Sequence, residues 1–128
     1  MRRHLAVFAG DAAEKVLTGG KKVDVRLSRM KIVPFGRIST GDIVWMRKPG
    51  EKLVGSFIVG KVIYFDHPTT EDLKRLKNDY GKEMAMAEQF WANRKDCKYA
   101  TVIFIDSSTR FLVSPQINKK DRRSWVVL

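Results

Sequence analysis

The chain has 128 residues, 44% hydrophobic and 30% charged, with 25 Lys and Arg against 14 Asp and Glu, a formal net charge of +11. That size and balance predict one soluble domain with a sizeable core, and no stretch approaches the ~20 apolar residues of a membrane-spanning helix or, at Leu5 to Ala9, the ~7–15 of a secretory h-region. A single cysteine (Cys97) and two histidines (His4, His67) rule out an intrachain disulfide and argue against a structural zinc site, so a reducing, cytoplasmic setting without metal or cofactor is expected.

Arg3 to Ala9 alternates as a first strand, with Leu5, Val7 and Ala9 on one face. Asp11 can cap a short helix over Ala12 to Thr18, whose Ala13, Val16 and Leu17 share a side and which Gly19 and Gly20 end. Lys21 then stands at the mouth of a strand in which Val23 and Val25 face a core and Lys22, Asp24 and Arg26 share the other face. A face reading cation, acid, cation can hold an anionic or polar ligand. It can equally be a solvated edge whose acid pairs its neighbours.

Ser28 to Thr40 reads as a long loop around Pro34-Phe35-Gly36, of a length that is often functional. Gly41-Asp42 turns into a strand over Ile43 to Met46, and Lys48-Pro49-Gly50-Glu51 makes a hairpin loop. Leu53 to Phe65 is a long strand, with Gly55 and Gly60 marking bulges or corners. Thr69 caps a helix that Gly81 breaks, and a second helix carries Met84, Ala87, Phe90 and Trp91 as a stripe that packs on the sheet. Tyr99 to Ile105, Phe111 to Val113 and Trp125 to Leu128 complete the strands. Short strands, few helices and glycine corners predict an α+β chain: a small, partly closed, mixed or antiparallel β-barrel with helices at one side.

The charge is unevenly spread. Thr69 to Asp96 holds six bases and six acids, so the whole excess lies elsewhere, 19 bases against 8 acids. That asymmetry points to a polyanion such as nucleic acid. The basic segments are Lys21 to Arg37, Arg47 to Lys52 and Lys119 to Arg123, with Phe35 beside the first and Trp125 beside the third. Cations neutralise phosphates and aromatic faces stack on unpaired bases, which suits single-stranded or looped RNA. Trp125 reads either as such a stacking residue or, with Val126 and Leu128 after it, as core. Cys97 reads as a buried thiol. Lys21 beside Asp24 becomes a base or nucleophile only if burial or neighbouring cations lower its pKa.

Gly19-x-Lys21-x-x-Asp24-x-Arg26 resembles the Gly-x-Lys-x-x-Glu-x-Arg signature of the ASCH domain, a PUA-like β-barrel of the same broad group as the EVE and YTH domains. The short helix before it is similar, as are the Ile38-Ser39-Thr40-Gly41-Asp42-Ile43 step, the Gly60-Lys61-Val62 strand and the closing strands, so the resemblance covers most of the chain. It implies a PUA-like barrel with a cleft where Lys21, Asp24 and Arg26 converge, and RNA binding there. Beside these three, the chain's own charge pattern adds Lys22, Arg29, Lys31 and Arg37 and, outside the signature, Lys119, Lys120, Arg122, Arg123 and Trp125 to the expected RNA-binding set. Some small members of similar fold hydrolyse N4-acetylcytidine with a lysine, a threonine and a glutamate. On that pattern Lys21 matches the lysine, Asp24 stands where the threonine would, and Glu88 is the candidate glutamate. A hydrolase of this or a ribonuclease kind would rest on Lys21 and Asp24; a module for a small anionic metabolite or a protein partner is the remaining alternative.

Overall fold

Period-two alternation lays about a third of the chain into strands, and a capped, charged segment supplies the one long helix among the described residues. The computed structural model describes residues 1–93, 96–117 and 121–128. In order these form β1 (Arg3–Val7), α1 (Ala12–Leu17), β2 (Val23–Ser28), β3 (Ile43–Arg47), β4 (Leu53–Asp66), α2 (Thr70–Met84), α3 (Glu88–Ala92), β5 (Tyr99–Arg110) and β6 (Trp125–Val127). The strands make one six-stranded sheet in the order β2-β5-β4-β3-β1-β6. β1 and β3 run parallel and the other neighbours antiparallel. The sheet curls into a half-barrel, the α+β architecture expected.

Register shifts at Met46/Arg47, Ile58/Val59 and Val59/Val62 bend β3 and β4, as bulges do; Gly60 sits in the last of these. Gly55 has a different task. A Cβ there would lie 2.6 Å from the Thr109 carbonyl oxygen and 2.8 Å from Leu17 Cδ2. Only glycine lets α1 and β5 approach β4 this closely.

Two apolar clusters hold the fold. The larger joins Ala6 of β1, Phe8 just after it, Ala13 and Val16 of α1, Met46, Phe57, Ile103 and Trp125. The smaller joins Val23, Val25 and Val102 to Leu76 and Met84 of α2. Val23 and Val25 therefore face a core as expected, but the opposite face of β2 is buried as well. A polar chain crosses the larger cluster. The Trp125 indole donates to His4 Nδ1 at 3.0 Å, and His4 Nε2 lies 2.9 Å from Asp42 Oδ2. An indole N–H can only donate, so Nδ1 is the acceptor and Nε2 carries the proton given to Asp42. The same carboxylate accepts from the backbone N–H groups of Arg2 at 2.9 Å and Ser39 at 3.0 Å. Burial alone would raise the Asp42 pKa, but these bonds and the His4 ring hold it below its usual value.

Several expectations need correction. Ala6 of β1 and Phe8 just after it, not Leu5, Val7 and Ala9, belong to the main core cluster. Asp11 occupies the N-cap position of α1 but its side chain makes no cap bond; it lies 3.6 Å from Lys15 Nζ instead. α2 runs through Gly81 to Met84 and ends at Ala85, whose φ is +50°. Phe111 to Val113 is not a separate strand: β5 continues to Arg110, which pairs with Gly55 near the start of β4, the Phe111 N–H adds one last bond to the Val54 carbonyl at 3.0 Å, and Leu112 and Val113 are exposed. Arg47 belongs to no surface patch. It is buried, its Nη2 donates to the Asp121 carbonyl, and its Nε and Nη1 have no hydrogen-bond partner among the described residues. Thr69 caps α2 as expected, in a reciprocal box with Asp72. No helix among the described residues is long and apolar enough to cross a membrane.

Candidate nucleic-acid interface

Gly19 ends α1 with φ +85°, a conformation that favours glycine. The chain reverses at once, and the Lys21 N–H donates to the Lys15 carbonyl at 3.0 Å. This swings the Lys21 side chain inward while Lys22 stays exposed. Lys21, rather than Lys22, therefore joins Asp24 and Arg26. Its Nζ donates to the Met84 carbonyl at the end of α2 at 2.6 Å and lies 3.5 Å from Asp24 Oδ1. Arg26 Nε donates to Asp24 Oδ2 at 2.8 Å, and Arg26 Nη1 to the Val7 carbonyl at 3.1 Å. One carboxylate thus holds two cations.

The three side chains are unequally accessible, at 2% for Lys21, 3% for Asp24 and 21% for Arg26. They line a cleft of about 440 Å³ walled by Phe8, Ala85, Met86 and Phe90, within the range of small-molecule sites. The Arg26 guanidinium carbon lies 4.7 Å from the Phe8 ring centroid and 5.1 Å from that of Trp125, which fixes its orientation. A smaller hollow of about 60 Å³ on the other side of Arg26 is lined by Ile32, Pro34, Phe35 and Trp125. Burial pushes the Lys21 pKa down, Asp24 opposes the fall, and Arg26 and Lys15 add to it.

The remaining expected residues lie around this centre or away from it. Lys22, Lys31, Arg37 and Arg122 are exposed. Arg29 pairs with Asp96 at 2.6 Å and Arg123 with Asp121 at 2.7 Å; Arg123 holds the Asp121 carboxyl down at about 2. Lys119 and Lys120 lie outside the described residues. Trp125 is only 3% exposed, so it is core, and its faces are not offered to a base. Phe35 packs edgewise on Tyr64 and Tyr99. Glu88 is exposed and paired with Lys77 at 2.6 Å, away from the cleft. Cys97 is buried as expected, and burial with the neighbouring Asp96 charge pushes its thiol up. Among the described residues no group of His, Cys, Asp and Glu could hold a metal ion.

Sequence reasoning missed the Ala85 to Phe90 corner as a cleft wall. The Met and aromatic stripe there does pack on the sheet, but Met86 and Phe90 also border the cleft. The signal available was the bend between two helices, which must leave side chains at the sheet margin.

No protein-family model and no curated protein matches the chain. Solved structures do. The crystal structure of ASCH from Zymomonas mobilis superposes with a TM-score of 0.74 at 14% identity, over 98% of this chain and 87% of that one. A single-residue variant of that protein gives 0.74 and 14% over 100% and 91%. Likeness at this identity speaks for the fold, and the fold is what strand order, curl and the placement of the Gly19-to-Arg26 signature also indicate: this chain has the ASCH-domain, PUA-like fold.

Proposed function

We propose that the chain binds RNA, single-stranded or looped, with a nucleotide entering the cleft at Arg26. The observation that carries this reading is the state of Arg26. It is the accessible member of the buried trio, it is fixed by Asp24, Val7, Phe8 and Trp125, and the exposed cations Lys31, Arg37 and Arg122 stand in the chain close to residues of the cleft or of the smaller hollow beside Arg26. A guanidinium already held in place loses little freedom on binding. The flanking cations supply the salt-sensitive, sequence-independent part of the affinity.

The test is anisotropy binding of short single-stranded RNA, duplex RNA and DNA across a salt series. Single-stranded RNA should be preferred, and the preference should survive high salt. Arg26→Ala should weaken it about tenfold or more, as loss of a hydrogen bond to a charged group does, while Lys31→Ala should cost no more than about threefold. Equal losses at both positions would reduce binding to diffuse charge. A second reading, a hydrolase of modified nucleosides or RNA, draws on the lowered Lys21 pKa. It requires turnover that disappears in a folded Lys21→Met protein.

A further inference from the structure

We infer that the cleft selects bases whose entering edge carries hydrogen-bond acceptors, so that guanine or hypoxanthine is taken in preference to adenine. This rests on the RNA reading above. The warrant is an inventory of donors and acceptors. Both Asp24 oxygens face cations, Oδ1 toward Lys21 at 3.5 Å and Oδ2 toward Arg26 at 2.8 Å, and the side chain is only 3% exposed. The carbonyls of Val7 and Met84 are occupied by Arg26 and Lys21. Among the described residues Arg26 Nη2 makes no hydrogen bond, because Nε and Nη1 take the two partners of the fork. The other cleft-lining side chains are apolar except Ser124 at the rim, whose hydroxyl can turn either way. Among the described residues the floor's side chains therefore offer N–H groups and, Ser124 at the rim aside, no acceptor free of a cation.

Guanine presents O6 and N7 side by side as acceptors, whereas adenine places an amino donor at the same edge position. An amino group brought against Arg26 would set donor against donor and leave both unsatisfied. Phosphate oxygens are acceptors too, so the test must hold the backbone constant.

The experiment compares anisotropy binding of an eight-nucleotide oligoadenylate with the same oligonucleotide carrying inosine at alternate positions. Length, charge and phosphates are identical; the keto group replaces the amino group. The inosine form should bind at least about fivefold more tightly, and Arg26→Met, which keeps a long side chain but removes its donors, should remove the difference. Equal affinities that both fall in Arg26→Met would leave RNA in the cleft through its phosphates and overturn base selection. A preference that persists in Arg26→Met would also overturn it. Binding of neither oligonucleotide at low salt would remove the RNA reading and this inference together. If Arg26→Met does not fold, competition by free inosine against free adenosine on the unaltered protein replaces it: inosine should compete more strongly, and equal competition refutes the selection.

Discussion

Lys21 is a cation placed almost entirely inside the protein, and its partners decide what that costs. Asp24 and the Met84 carbonyl satisfy it, yet burial still drives its pKa down. A lysine that binds its proton less tightly folded than unfolded makes stability rise with pH between the two pKa values. Below the folded-state value the penalty is full; approaching the unfolded value near 10.4 it fades. The stability of the unaltered protein minus that of Lys21→Met should therefore grow as pH rises toward about 10, measured by denaturant unfolding at successive pH values. A difference that stays flat would mean the amine titrates alike in both states. The buried Trp125–His4–Asp42 chain makes a separate residue-scale prediction. Trp125→Phe keeps a ring but strands the His4 Nδ1 acceptor, and should cost about 1–3 kcal/mol in thermal or denaturant melts.

At the scale of elements, one glycine and one helix show how local preference yields to packing. Gly55→Ala would push a methyl into the Thr109 carbonyl and Leu17. The carbonyl belongs to a paired strand and cannot step aside, so a loss of about 1–3 kcal/mol is expected, read as a lower unfolding midpoint; an unchanged midpoint would show that α1 can lift off β4 freely. Gly81 does not stop α2 because the helix gains more by continuing. A glycine inside a helix costs about 1 kcal/mol relative to alanine. Burying the Met84 side chain, which is fully enclosed, returns about 1.5–3 kcal/mol. A sequence pattern shows the glycine and not the pocket that receives Met84. The Thr69 cap, the hairpin at Lys48 to Glu51 and the alternation of β2 were legible because each is settled within a few residues. The Lys21 contact with Met84 was not, since the two are 63 positions apart and only the turn at Gly19-Gly20 decides which of two adjacent lysines points inward.

For the whole molecule, the sequence discloses the composition of the fold better than its closure. Strand content and glycine corners indicated a barrel, and the signature from Gly19 to Arg26 indicated where its cleft would be. The half-open form depends on which strands end at the margins: β2 on one side, β1 with β6 on the other. Trp125 illustrates the limit. Its basic neighbours and the apolar residues after it left stacking and core both open, and pairing of β6 with β1 decides for core, against His4. Across that gap between margins no backbone ladder runs among the described residues; Arg26 Nη1 reaches from β2 to the Val7 carbonyl of β1. The guanidinium is thus a latch on a curved spring as well as the proposed ligand contact. The width of the opening is set by curvature accumulated at the bulges of β3 and β4, so a substitution that flattens the sheet far from the cleft changes how far the latch must reach and how firmly it can hold whatever lies across it.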